Sequence, residues 1–332
     1  MKILFLVKLT SEYGSNVMPS KAGLRNSARF VVDAVNQFPG VHAMLELCRD
    51  GNSIDKFLHH FKPQICIIEA IWVTPAKLRE LIDKYPHIRF VVRVHSKTPF
   101  LAMEGNAIEW IREYAKEAIV SFNAVDTGSD FMQIGIQNTY LPNIYPTIHH
   151  QGCREVEKRR TFYRIGCFGA IRPLKNQLAQ AVAAIMFAES KRASVHFCIN
   201  STRIEQRGEG VLKNIRALFN GTRHKLIEID WLEHGEFVKV IGKMDACMQV
   251  SFTETFNIVT ADCIAAHVPV VVSKEIHWLN CRKADPTSES NIADVLDYVI
   301  KRKVELVEDN IQDLATYNHT AILTWFRFIN RD

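Results

Sequence analysis

Residues 250–273 read Val250-Ser251-Phe252-Thr253-Glu254-Thr255-Phe256-Asn257-Ile258-Val259-Thr260-Ala261-Asp262-Cys263-Ile264-Ala265-Ala266-His267-Val268-Pro269-Val270-Val271-Val272-Ser273. An apolar run ends at Val250, and the polar turn after it carries Glu254. A helical pattern begins at about Asn257, and Pro269 opens a second run that is apolar on both faces. Strand, helix, strand in that order predicts a parallel sheet covered by helices. The backbone N–H groups of Phe256, Asn257, Ile258 and Val259 lie at the helix start. Unsatisfied donors and the helix dipole favour an anion there, such as a diphosphate. Glu254 is placed to accept hydrogen bonds from hydroxyl groups, and Asp262, one or two turns on, to reach a second set. A plainer reading, a loop carboxylate and a helix-surface charge, stands beside this one.

The same alternation extends outward through the chain. Strands are expected at Ile3–Val7, Gly40–Leu47, Gln64–Glu69, Ile88–His95, Ala118–Ser121 and Asn138–Pro142. Helices are expected at Gly23–Gln37, Ser53–Phe61, Pro75–Tyr85 and Met103–Ala115. Pro146 to Thr161 has little apolar content and ends in a basic run, which reads as a linker. Beyond it the pattern restarts, with strands at Tyr163–Phe168, Ser194–Ile199, Leu226–Ile229, Ala246–Val250 and Pro269–Val272. Helices accompany them at Leu174–Glu189, Gly210–Phe219, Gly235–Ile241, Asn257–Ala266, Asn291–Lys301 and Ile311–Ile329. The fold class expected is therefore α/β, with two doubly wound, Rossmann-like domains and ligand at their facing carboxyl edges. Residues 1–148 form the first domain, 149–161 the linker, 162–310 the second domain and 311–332 a closing helix.

Composition narrows the function classes. A length of 332 residues suits two domains, and a hydrophobic fraction of 47% supplies a core that a disordered chain lacks. Fifteen glycines and eleven prolines are too few for a collagen-like or low-complexity chain. No apolar run approaches the roughly 20 residues that span a bilayer. The opening Met1–Lys8 reads as a first buried strand rather than a cleavable signal, so a soluble, cytoplasmic protein is expected. The net charge of +5, from 41 basic and 36 acidic residues, fits an anionic ligand or partner without identifying a nucleic-acid binder. Arg154, Lys158, Arg159, Arg160 and Arg164 cluster at the linker, with Arg203, Arg207, Lys213, Arg216 and Arg223 further on. A polyanion site and a solvated face both account for them. Eight cysteines form no C-x-x-C pair and no zinc spacing, and they read as buried reduced thiols. A metal-holding Asp-x-Asp, a Gly-x-Gly-x-x-Gly, a Walker A lysine motif and a Gly-x-Ser-x-Gly elbow are all missing.

A second informative stretch is Gly166-Cys167-Phe168-Gly169-Ala170-Ile171-Arg172-Pro173-Leu174-Lys175-Asn176. A glycine turn with two cations gives a diphosphate backbone access and charge neutralisation. Together with 250–273, it resembles the GT-B-fold retaining glycosyltransferases, notably family 4 (group 1), whose motif is a carboxylate, seven residues and a second carboxylate. Glu254 matches the first acid. Asp262 stands where the family usually has glutamate, and Asn257 and His267 replace frequent glycines. Gly169, Lys175 and Asn176 match the family's diphosphate-binding turn, while Ala170 replaces its arginine and Arg172 is the nearest substitute. Tyr140-Leu141-Pro142-Asn143 and Val91–Ser96 resemble first-domain elements, the latter placing His95 near the transferred sugar. The loop Ser11–Gly23, with Gly14, Ser15 and Lys21, resembles the family's donor-bordering loop. Tyr317-Asn318 and Trp325 resemble its final helix, which crosses back to the first domain.

The resemblance implies transfer of a sugar from a UDP-, GDP- or other nucleotide sugar, retaining and metal-independent, with no permanently bound cofactor. Glu254, His95, Lys175 and Arg172 would carry the chemistry. Gly169, Asn176, Phe256, Asn257, Ile258, Val259, Asp262 and Ser15 would bind the donor. The acceptor stays open between a hydroxymethylated pyrimidine in DNA and a glycan or lipid-linked sugar. A non-catalytic scaffold of the same fold is the alternative from another class.

Overall fold

The computed structural model describes residues 1–9, 23–146 and 161–330. The chain forms two units, Met1–Pro146 with Asn318–Asp332, and Thr147–Tyr317. The linker expected at 149–161 lies outside the described residues save Thr161, as do Arg154, Lys158, Arg159, Arg160, Gly14, Ser15 and Lys21.

In the first unit the chain enters the middle of the sheet at β1 (Lys2–Lys8), whose residues Ile3 to Val7 are buried. Runs apolar on both faces can only be satisfied by cover on both sides, and the strands obey that rule. After α1 (Gly23–Val35) the chain adds β2 (His42–Cys48) on one side of β1. After α2 (Ile54–Phe61) it returns to place β3 (Ile65–Glu69) on the other side. Then follow α3 (Pro75–Lys84), β4 (Arg89–Val94), the short α4 (Thr98–Leu101), α5 (Ala107–Glu117), β5 (Ile119–Phe122), α6 (Val125–Gln133) and β6 (Thr139–Tyr140). The sheet order is β2-β1-β3-β4-β5-β6, all parallel, so the order reverses between β1 and β3. A doubly wound sheet opens a crevice at such a point, outside the carboxyl ends of its strands.

The second unit repeats the scheme. Its strands are β7 (Phe162–Gly166), β8 (Ser194–Asn200), β9 (Lys225–Ile229), β10 (Ala246–Gln249) and β11 (Val270–Val272). Between them run α7 (Gln177–Ser190), α8 (Glu209–Phe219), α9 (His234–Ile241) and α10 (Ile258–Ala265), with α11 (Glu289–Lys301) after β11. The order β11-β10-β7-β8-β9 places the reversal between β7 and β10. Phe187, Val195, Phe197, Ile215, Met248 and Leu296 are among the residues that fill this core. The chain closes with α12 (Lys303–Ile329), and the boundary between the units falls inside it, so the part from Asn318 onward belongs to the first unit. There Trp325 is fully buried against Phe5, and its indole N–H donates to the Pro142 carbonyl at 2.8 Å.

Among the elements that differ from the sequence reading, three have a clear physical cause. The helix read from Leu174 starts at Gln177, because Pro173–Lys175 forms a separate helical turn and Asn176 takes a left-handed conformation, φ 57°. The final helix begins at Lys303 rather than Ile311, and its first turns carry the charges Glu305, Glu308 and Asp309, which blur the apolar stripe. Finally, α6 carries Thr127, Gly128 and Ser129, all poor helix formers. Packing overrides propensity there, since a Cβ on Gly128 would stand 2.9 Å from the Asn138 side chain.

Candidate functional site

The loops after β7 and β10 flank the reversal in the second sheet, and buried amides tie them together. Gln180, one turn into α7, accepts from Val250 N at 2.9 Å and donates to the Lys175 carbonyl at 2.8 Å. Asn176 donates to Val250 O and to Pro286 O, and Gln249 donates to Phe168 O. Phe252 N closes the joint on Leu174 O at 3.0 Å. These bonds fix the turn Gly169–Asn176 against the loop that carries Glu254. Gly169 has φ 115°, a conformation that side chains rarely adopt, and its N–H donates to Asn200 Oδ1 at 3.1 Å.

The joint brings Lys175 and Glu254 together. Nζ lies 2.5 Å from Oε1, and both side chains are almost wholly buried. Burial pushes the Glu254 carboxyl upward, but the charges of Lys175 and Arg172 outweigh it and hold the group below the usual carboxylate range. Glu254 is therefore an ionised acceptor beside a fixed cation. Arg172 stands one step outside the pair: its guanidinium meets Glu205 at 3.3 Å, and Arg203 holds the same carboxylate at 2.6 Å. Its charge reaches Glu254; its hydrogen bond goes elsewhere.

At the start of α10, Asn257 is left-handed, φ 60°, and its Oδ1 accepts from Thr260 N at 2.9 Å. The residue thus supplies both the backbone bend that glycine would give and an N-cap. The cap takes the Thr260 N–H, which lies outside the expected anion-binding turn Phe256–Val259. Ile258 and Val259 form the first turn. Phe256 turns inward instead, stacked with Trp278 and Tyr317 at 5.1 Å, while its carbonyl accepts from the Trp278 indole at 2.8 Å. Asp262 is buried and paired with His234 at 2.7 Å, a residue that sequence reading did not single out. The bond to Asp262 raises the His234 pKa against the effect of burial. At the far end of α10, His267 takes φ 56°, with His267 N bonded to Ile264 O and Val268 N to Cys263 O. The helix keeps a Schellman-type end although histidine replaces glycine.

In the first unit, His95 lies just past β4 in a buried polar cluster at the carboxyl ends of β3 to β6. Its Nε2 bonds Glu69, and its Nδ1 lies 3.2 Å from Asn123 Nδ2. Arg93, which pairs with Glu69 across β3 and β4, donates to that carboxylate at 3.0 and 3.2 Å, to Asn143 Oδ1 at 2.6 Å and to Leu141 O at 3.0 Å. Glu69 and Arg93 are fully buried. Burial and Arg93 push the His95 imidazole below its ordinary pKa, against the opposing pull of Glu69. A polar residue ending the apolar run Ile65–Glu69 was the available signal for this cluster.

Several surface cations have acid partners. Arg216 pairs with Glu228 at 2.7 Å and Arg223 with Glu189 at 2.6 Å, while Arg164 covers the Phe162 ring. Six cysteines with described positions, Cys48, Cys66, Cys167, Cys198, Cys247 and Cys263, are buried and unbridged. Among the described residues no group of three or more His, Cys, Asp or Glu side chains is placed to hold a metal, and no helix is long and apolar enough to cross a membrane.

No family model and no curated protein matches the chain. Solved structures do. A UDP-forming α,α-trehalose-phosphate synthase from Burkholderia vietnamiensis aligns with a TM-score of 0.64 at 12% identity, over 83% of this chain and 76% of that one. The trehalose-6-phosphate structure from E. coli bound with UDP-2-fluoro glucose gives 0.67 at 10%, over 98% and 96%. Anabaena Alr3699/HepE in complex with UDP-glucose gives 0.64 at 16%, over 98% and 100%. At such identities the likeness shows the fold: two units, each a parallel sheet flanked by helices, in the GT-B architecture.

Proposed function

We propose that the chain is a glycosyltransferase that moves a sugar from a nucleotide-sugar donor to an acceptor hydroxyl. The buried Lys175–Glu254 pair at the reversal point of the second sheet carries this reading. The presence of UDP-glucose and UDP-2-fluoro glucose in similarly folded proteins supports a UDP-sugar as the donor. In such a transfer the anomeric carbon–phosphate oxygen bond breaks and its electron pair leaves with the diphosphate. The acceptor oxygen forms the new bond, and its proton passes to the departing diphosphate. The largest charge develops on the leaving group, so fixed cations and oriented donors there lower the barrier. Lys175 is the cation, with Arg172 adding its field from one step away. The first turn of α10, at Ile258 and Val259, offers the helix dipole. Gly169 and Asn176 shape the backbone that the diphosphate approaches.

Glu254 would orient the donor sugar, and the Asp262–His234 pair would meet the ribose hydroxyls. His95 is the residue that the resemblance assigns to contact with the transferred sugar. Charge neutralisation by Lys175 and Arg172 supports a metal-independent transfer, and the resemblance to retaining GT-B glycosyltransferases implies retention. The acceptors to try are hydroxymethylated-pyrimidine DNA and a glycan; the net charge of +5 fits an anionic partner without identifying a nucleic acid.

The test combines thermal shift and product release. UDP-glucose, other UDP-sugars and GDP-sugars are screened for a rise in melting temperature, which mass action requires of a bound donor. Release of nucleoside diphosphate is then followed with duplex DNA containing hydroxymethylcytosine and with polysaccharide acceptors. A donor that stabilises the chain and is turned over supports the reading. Lys175→Ala and Glu254→Ala are expected to lower turnover by about 10²–10³-fold. A chain that no nucleotide sugar stabilises and that releases no diphosphate is not this enzyme.

A further inference from the structure

The polar cluster of the first unit closes into a ring, and its chemistry fixes the direction of every bond. Arg93 can only donate. On one side it donates to the Glu69 carboxylate, whose Oε2 faces His95 Nε2. An ionised carboxylate can only accept, so Nε2 must carry the hydrogen. On the other side Arg93 Nη2 meets the Asn143 side chain at 2.6 Å, so the oxygen of that amide must face it. Asn143 then turns its NH₂ to Ser27 Oγ at 3.1 Å. The same Asn143 oxygen lies 3.4 Å from Asn123 Nδ2, which requires Asn123 to present its own NH₂ group there. That NH₂ group is also 3.2 Å from His95 Nδ1, which must therefore be the bare, accepting nitrogen. Both routes around the ring start at a residue with no acceptor and end on the same tautomer.

The opposite tautomer fails on both routes. It would let Nε2 accept from Arg93 Nη1, 3.4 Å away, but only by protonating Glu69 beside a guanidinium and flipping Asn123 away from Asn143. A second proton on the imidazole would find no acceptor at Nδ1, where Asn123 already donates.

We infer that Glu69, Arg93, Asn123 and Asn143 are positioning residues that hold His95 as a neutral imidazole protonated at Nε2, so that it serves the transfer as a fixed neutral group and takes no proton from the acceptor. The inference rests on the proposed sugar transfer for its kinetic consequence, but the tautomer itself is a property of the chain alone.

The deciding measurement is therefore made on the wild-type protein without substrate. With ¹⁵N-labelled histidine, and the His95 signals assigned by their loss in His95→Gln, Nε2 should show the shift of a protonated nitrogen and Nδ1 that of a bare one. The pattern should hold between about pH 5 and 8, where an ordinary histidine titrates. A protonated Nδ1, or an imidazolium within that range, overturns the inference.

Kinetics give a second arm. Gln can place an N–H donor where Nε2 stands, so His95→Gln should stay within about tenfold of wild-type kcat and restore most of what His95→Ala loses. A general base removed by the same change would cost about 10²–10⁴-fold, and that loss in His95→Gln would also overturn it. Asn123→Asp, which places an acceptor at Nδ1, should favour the imidazolium and introduce a new limb in the pH–rate profile. Absence of turnover with every nucleotide sugar would defeat the proposed function, while the ¹⁵N pattern would still decide the tautomer.

Discussion

Asp262 is one methylene shorter than the glutamate that the resembling family usually carries, and His234 from α9 sits on the carboxylate it presents. The pair makes a titrating element that a lone carboxylate would not. Because the bond to Asp262 raises the His234 pKa, its stabilisation is fully present below the ordinary value of 6.5 and is lost as pH rises through the raised folded value. Gln at 234 keeps a donor without titrating. Urea unfolding at about pH 6 and about pH 9 should therefore show wild type exceeding His234→Gln by more at the lower pH. An equal gap at both would mean that the pair does not titrate on unfolding. At this scale the sequence was legible where chemistry is local. Gly169, Lys175, Asn176, Glu254 and Asn257 lie within two short stretches whose order can be read directly. The pairings of Glu69, Asn143 and His234 were not legible, because their partners lie 24 to 50 residues away and meet them only through the packing of strands and helices.

The start of α10 shows the same contrast for an element. A left-handed residue was needed before Ile258, and the chain meets that need with Asn257 rather than glycine, gaining a cap to Thr260 in the exchange. Asn257→Gly keeps the bend but loses the cap, which costs a few tenths of a kcal/mol, and the buried bond to Gln249 Oε1, worth about 1 kcal/mol. Asn257→Ala loses that bond as well; its lost cap is worth about 1 kcal/mol, and it adds a left-handed penalty of about 1–2 kcal/mol. Unfolding by denaturant should rank wild type, Gly and Ala in that order; Ala equal to Gly would show that φ at this residue relaxes. The strands were legible because runs such as Ile65–Ile68 are apolar on both faces. The helix α6 was not, since its Gly128 reflects contact with Asn138 rather than any local preference.

For the whole molecule, the decisive joint is the last helix, which starts in the second unit and supplies core to the first. Trp325 is fully buried, faces Phe5 and Arg93, and holds the Pro142 carbonyl. The Asn318 side-chain amide accepts from Tyr145 N and donates to Tyr145 O, each at 3.0 Å. Trp325→Ala should cost about 3–5 kcal/mol and unfold the first unit ahead of the second, visible as two calorimetric transitions. A single transition shifted as a whole would show that the units unfold together. The alternation of elements revealed two sheets from the sequence, but residue order alone does not say which of them an aromatic stripe on the final helix will cover. That arrangement also sets a timetable for biosynthesis. The strands of the first sheet leave the ribosome early, yet their core stays open until Trp325 has been made, and at about 5–20 residues per second that is a wait of roughly 10–40 s. During that interval the nascent chain shows the uncovered side of Phe5 to any chaperone that can reach it.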